Sequence, residues 1–135
     1  MKRDGVELTP QARTVACAVM VKALKFHGVE VIALCVGKKH SHALIKCPKK
    51  KRNGKSLGTA VPRLWRNRIA RHFMGIAKKE SARALSKAAL AQPGGVWAGG
   101  CGVKPIKDRR HHVRVVKYIH DHKAQGAVVW LWMMD

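Results

Sequence analysis

Acidic side chains are scarce in this chain. Seven Asp and Glu stand against 28 Lys and Arg, a formal charge of +21. Away from the chain ends the acids are Glu7, Glu30, Glu80, Asp108 and Asp121. They are scattered, with no D-x-D, E-x-K or H-E-x-x-H pattern. A nuclease built on carboxylate-held magnesium is therefore poorly supported, and metal chemistry would have to run on histidine. Cysteine is also sparse. Cys17, Cys35, Cys47 and Cys101 form no C-x-x-C pair and no dense framework, so the fold is expected to stand without disulfides. With no signal-like N-terminus, a reducing cytoplasm is the expected compartment. The apolar run "TVACAVMV" is too short to span a bilayer. A basic amphipathic helix ending in aromatic anchors is also lacking, so no membrane partner is expected. Tyrosine occurs once, at position 118.

The chain does have positive charge and enough apolar residues for a core. Its 135 residues fit one domain, 1–135, and 47% apolar residues suffice to fill its interior. A charge of this size repels itself and is tolerated most easily when a polyanion neutralises it. Nucleic acid is the expected polyanion, bound with a steep dependence on salt.

The element order reads as mixed. Thr9 as N-cap, Pro10 at the first helical position and Gly28 as the stop frame a helix over "PQARTVACAVMVKALKFH". "VEVIALCV" is a β-branched strand, "GKK" a turn and "HSHALIKC" the returning arm of a hairpin, ended by Pro48. "PKKKRNGKSLG" is a basic loop that touches phosphate, although a nuclear protein would use "PKKKR" as an import signal. Leu64, Trp65, Ile69, Phe73 and Ile76 then fall at helical spacing among Arg63, Arg66, Arg68, Arg71, Lys78, Lys79 and Arg83. Gly75 is expected to divide this helix in two. The glycine-rich "QPGGVWAGGCGVKPIKD" reads as short strands, followed by a helix from Asp108 to Gly126 and a final strand or docking tail in "AVVWLWMM". The expected fold class is α+β, with helices packed on a central antiparallel sheet.

His40 and His42 lie two apart on a strand, so both point to one face with Leu44 and Lys46. Ser41, Ala43, Ile45 and Cys47 point the other way. Two imidazoles so placed can share a divalent ion, or can simply be two surface histidines. On the last helix Val113, Val116 and Ile119 form the apolar stripe, and Tyr118 lies off its centre. His122 rises one turn on from Tyr118. Two strand histidines with a third ligand from a helix could hold a metal that polarises a phosphate, and the phenol could attack phosphorus to form a covalent intermediate. Cations would hold the nucleic-acid strand: Lys38 and Lys39 in the hairpin turn, and Arg68, Arg71, Lys78, Lys79 and Arg83 on the middle helix. A rival reading is a structural zinc site from Cys35, His40, His42 and Cys47, weakened by the opposite parity of Cys47. His111 and His112 read as phosphate-facing or surface residues. His27, His72 and His120 carry no pattern.

In "KKHSHALIKC", "GIAKKESARAL" and "GVWAGGCGVKPIKD…VVKYIHDHKAQGA" the sequence resembles the single-tyrosine HUH transposases, in particular their REP-associated branch. The resemblance covers roughly residues 10–130, in order. It implies a compact ferredoxin-like α+β domain acting on single-stranded DNA, often hairpin-bearing. It implies Tyr118 as nucleophile forming a 5′-phosphotyrosine, and His40, His42 and His122 as ligands of Mg or Mn. Ser41 stands where the family usually has an apolar residue. The family's first strand is expected to be missing, which would leave a sheet edge open to a homodimer partner or to "AVVWLWMM". The alternative function is a non-catalytic basic nucleic-acid-binding domain, a truncated transposase remnant, with Trp65 or Trp97 stacking on bases.

Overall fold

A computed structural model describes residues 7–47, 63–90, 97 and 105–132, with 63–67 described as helix backbone only. The basic loop at 48–58, the Trp65 side chain, Cys101 and most of the glycine-rich segment lie outside the described residues. Helix α1 spans Pro10–Phe26, strand β1 Glu30–Val36, strand β2 Ser41–Lys46, helix α2 Arg63–Lys87, helix α3 Arg109–Asp121 and strand β3 Val128–Leu131. A 3-10 turn, His122–Gln125, joins α3 to β3. The class is α+β: a three-stranded antiparallel sheet in the order β2-β1-β3, with helices packed on it.

The local signals explain most of these elements. Thr9 caps α1 by accepting from the Ala12 amide at 3.2 Å, and Pro10, which has no N–H to satisfy, begins the helix. Gly28 takes φ 79 just after the C-cap, a left-handed conformation that glycine adopts without steric penalty. Asp108 caps α3 by accepting from the His111 amide at 2.8 Å. Gly126, at φ 88, ends the 3-10 turn. Gly75 does not divide the middle helix, which runs unbroken through it as α2. A mid-helix glycine costs about 1 kcal/mol. Phe73, Met74, Ala77, Ser81 and Leu85 stay buried on both sides of it, and that continuous buried stripe outweighs the local cost.

The sheet separates two apolar clusters. On one side Leu34, Val36, Ala43, Ile45, Val128 and Trp130 pack with residues of α1 and α2, including Ala16, Met20, Leu24, Phe73 and Leu85. On the other side Ala33, Cys35, Leu44, Val129 and Leu131 pack with Val115, Val116 and Ile119 of α3. The strand pairs agree with this division: Leu34 lies opposite Ala43 and Trp130, and Cys35 opposite His42 and Val129.

A bulge in β1 sets which residue faces which side. The register shifts between Val31 and Ala33. Val31 packs toward α1, Ile32 and Ala33 both pack toward α3, and Leu34 turns back to α1. One extra residue on a bulged strand reverses the alternation beyond it. "VEVIALCV" tolerates the reversal because it is apolar at every position but Glu30. Beyond the bulge, Cys35 lies across from His42 on the α3 side.

The C-terminal "AVVWLWMM" supplies β3, which pairs with β1 through Val36↔Val128 to Ala33↔Leu131. That is the docking expected of a final strand. Val113 departs from the expected stripe: it is exposed, while Val115, Val116 and Ile119 face the sheet. The stripe centres between Val115 and Ile119, and Val113 lies beyond its edge. Among the described residues no helix is long and apolar enough to cross a membrane.

Candidate functional site

Strand β2 and helix α3 bring three of the expected residues together. His42 projects from β2 toward α3, on the same side of the sheet as Leu44. Tyr118 lies in the last turn of α3 and His122 caps that helix as the first residue of the 3-10 turn, so the two stand one turn apart. The ring centroids of His42 and His122 are 4.7 Å apart, those of Tyr118 and His122 4.6 Å, and those of His42 and Tyr118 5.4 Å. The Tyr118 rings to the two histidines are edge-on, and each residue of the triangle touches the other two. Tyr118 remains 55% exposed, so the triangle lies at the surface.

The His122 tautomer follows from its partner. Its Nδ1 lies 2.7 Å from the Tyr118 carbonyl oxygen. A carbonyl only accepts, so Nδ1 carries the proton, and in the neutral ring Nε2 keeps its lone pair. That arrangement fixes the ring and leaves Nε2 free to take a proton or a metal. The His42 pKa is held below its ordinary 6.5, by burial first, then by the proximity of His122 and of His40. At neutral pH His42 is therefore the uncharged imidazole, also with a lone pair to offer.

His40 stands apart from this triangle. It is exposed at the end of the hairpin turn, where its carbonyl accepts from the Gly37 amide at 2.8 Å. Its charge reaches His42, but among the described residues no three His, Cys, Asp or Glu side chains stand together as a metal-ligand group. The three-histidine set therefore does not form as placed, and only His42 and His122 of the three have their rings close together. The donor chemistry adds a second mismatch for Mg, since the pair is imidazole without carboxylate, whereas hard Mg favours oxygen ligands. The zinc alternative is divided by the sheet. Cys35 shares the His42 side, but Cys47 packs with the α1 and α2 cluster.

The cationic residues fall on both sides. Lys38 and Lys39 lie in the hairpin turn, exposed, and Lys38 Nζ is 3.8 Å from Glu7 Oε1. Such an exposed pair contributes little to stability. Arg68, Arg71, Lys78, Lys79 and Arg83 all belong to α2. That helix packs on α1 on the opposite side of the sheet from Tyr118, so these five do not line the His42–Tyr118–His122 triangle. Arg83 pairs with Glu80 at 3.6 Å.

Arg114 is a further cation on the Tyr118 side that the motifs alone do not single out. It is exposed on α3, one turn before Tyr118, and His111 lies a further turn back on that face. The signal was present in the i−4 and i−7 spacing from the tyrosine. Trp97 is half-buried against the α2 side, and its indole Nε1 donates to Ser81 Oγ at 2.9 Å. It serves the core there and not the Tyr118 side.

Comparison with family models, with curated proteins and with solved structures finds no match for this chain.

Proposed function

We propose that the chain cleaves and rejoins single-stranded DNA through Tyr118, as a single-tyrosine HUH transposase of the REP-associated type. The observation that carries this reading is the triangle of His42, Tyr118 and His122, drawn from two elements more than 70 residues apart in a chain of formal charge +21. In this reading the phenol oxygen of Tyr118 attacks phosphorus. An O–P bond to the tyrosine forms, the P–O3′ bond breaks, and the strand leaves with a free 3′-hydroxyl. The phenolic proton passes to a neutral imidazole, and the lone pairs of His42 and His122 make both rings eligible. The reverse attack by a 3′-hydroxyl rejoins the strand, and no nucleotide cofactor is needed because the phosphodiester energy is kept in the tyrosyl ester. The divalent ion that the resemblance implies, Mg or Mn, would take His42 and His122 as ligands in place of this proton transfer, since each neutral ring has one lone pair. The phenolic proton would then go to water, and the ion would stabilise charge on the phosphate oxygens. His40, apart in the hairpin turn, is not placed to complete the set.

The decisive comparison uses a hairpin-bearing single strand incubated with the protein in Mn²⁺. Wild type should nick it and leave a protein-linked fragment that survives denaturation. Tyr118→Phe should bind the strand and yield neither product. A Tyr118→Phe protein that still forms the linked fragment would refute the reading.

A second reading has an observation of its own. The cations of α2 lie across the sheet from Tyr118. A domain that only binds nucleic acid needs such a charged surface and no triangle. In that case chelation would leave DNA binding unchanged, and no nicking would occur in Mn²⁺.

A further inference from the structure

Arg13 is the one charged residue among the buried positions of the described chain, 7% exposed in the first turns of α1. Its neighbours on that face of the helix are Ala12, Ala16, Cys17 and Met20. No carboxylate among the described residues pairs with it. Burying a cation is costly, and an apolar residue of similar size at such a position is often as stable or more so. The guanidinium must therefore return something in its place.

Its hydrogen bonds show what that is. Nε donates to the Leu8 carbonyl at 3.1 Å, and Nη1 donates to the Gly126 carbonyl at 2.8 Å. Leu8 is itself tied to the hairpin, its amide donating to the Lys38 carbonyl at 2.7 Å. Gly126 closes the 3-10 turn that begins at His122, and the Ala127 amide donates back to the His122 carbonyl at 3.2 Å. A continuous path thus runs from the turn ahead of His42, through Leu8 and Arg13, to the turn that carries His122. The fit is close at the far end: a Cβ on Gly126 would lie 3.3 Å from Nη1, at a φ of 88.

We propose that Arg13 is a positioning residue that clamps the β1–β2 hairpin to the end of α3, and so sets His42 against Tyr118 and His122. A guanidinium suits the task because its planar fork serves two carbonyls in fixed directions. An ammonium on the same stem is a point donor and cannot hold both. The inference rests on the geometry of the triangle and not on strand cleavage.

The test is made on the full chain by proton NMR, with no DNA present. Tyr118 is the single tyrosine, so its ring signals are unambiguous. Wild type should show cross-relaxation between the Tyr118 ring and the rings of His42 and His122. In Arg13→Met these signals should weaken at least threefold, while the methyl signals of Leu34 and Leu85 keep their wild-type positions. Arg13→Lys keeps the charge and most of the stem, and decides the matter if the methionine variant does not fold. It should also lose the His42–Tyr118 signal while holding the core signals. Wild-type ring contacts in a folded Arg13→Met or Arg13→Lys overturn the clamp alone. Their absence from the wild type would overturn both the clamp and the proposed active site.

Discussion

On the α1 and α2 side of the sheet, Leu34, Met20, Leu24, Phe73 and Leu85 are all buried in one large apolar cluster. On the α3 side the cluster is small, and its margin holds two imidazoles and a phenol in mutual contact, the phenol exposed. Both sides carry positive charge, with Arg68, Lys79 and Arg83 exposed on α2 and Arg114 and Lys117 exposed on α3. Among the described residues the α3 side brings a phenol and two imidazoles into one cluster. The difference teaches a division of labour. One side of the sheet holds the larger core, and the other carries the residues to which the proposed function gives the chemistry.

Core truncation should separate the two sides most sharply. Leu34→Ala or Leu85→Ala is expected to cost about 2–5 kcal/mol of stability, read from the urea midpoint. Tyr118→Phe removes only a hydroxyl from an exposed ring and should change stability by less than about 0.5 kcal/mol. A large loss in Tyr118→Phe would mean that the α3 side is also structural.

Charge reversal on α2 asks whether that surface touches DNA at all. Arg68→Glu, Lys79→Glu and Arg83→Glu together should reduce the salt slope of single-strand binding by about 2 if all three contact phosphate. Strand cleavage at saturating protein should be unchanged, because α2 lies across the sheet from Tyr118. His42→Gln should do the reverse, binding as wild type and cleaving poorly.

A gentler probe is pH. Burial and its neighbours hold the His42 pKa below 6.5 in the folded chain, while the unfolded chain keeps the ordinary value. As pH falls below about 6.5 the unfolded chain takes up the proton first, so stability drops with falling pH and levels off below the folded pKa. The contribution is fully present above 6.5. In His42→Gln, urea midpoints should fall less between pH 7 and pH 5 than in wild type. An equal fall would place the lost stability elsewhere.

The smallest effect concerns the thiols. Burial pushes Cys17 up to about 12 and Cys35 up to about 11, the latter drawn partly back by the His42 backbone amide. At pH 8 both stay protonated and should resist iodoacetamide until the chain unfolds. Of these three described cysteines, the Cys47 thiol, less buried, should be alkylated first in mass-spectrometric time courses. Rapid labelling of Cys35 would show that the sheet beside His42 opens readily.

Particular residues show what could be read from the sequence alone. The strand parity of His42 with Leu44 and the four-residue spacing of Tyr118 and His122 placed those residues correctly, because those periods are properties of a strand and a helix. The caps at Thr9 and Asp108 were legible for the same local reason. Which side of the sheet α2 would take was not, since its cations look alike on either side and only the packing of Phe73 and Leu85 decides. His40 failed to join the triangle because it sits at the turn, just outside the regular strand that the spacing assumed. The β1 bulge was invisible in a uniformly apolar run. Arg13 did leave a signal, a lone arginine inside the apolar spacing of Ala12, Ala16, Met20 and Leu24, but its two carbonyl partners are known only from the fold.

The central claim is that Tyr118 becomes covalently attached to DNA while His42 and His122 stand beside it. The most direct measurement is peptide mass mapping of the protein after incubation with single-stranded DNA in Mn²⁺ and nuclease trimming. The account expects a nucleotide mass on the peptide containing Tyr118, absent in Tyr118→Phe and much reduced in His42→Gln. An unmodified Tyr118 peptide alongside cleaved DNA, or the same mass on another residue, would contradict it.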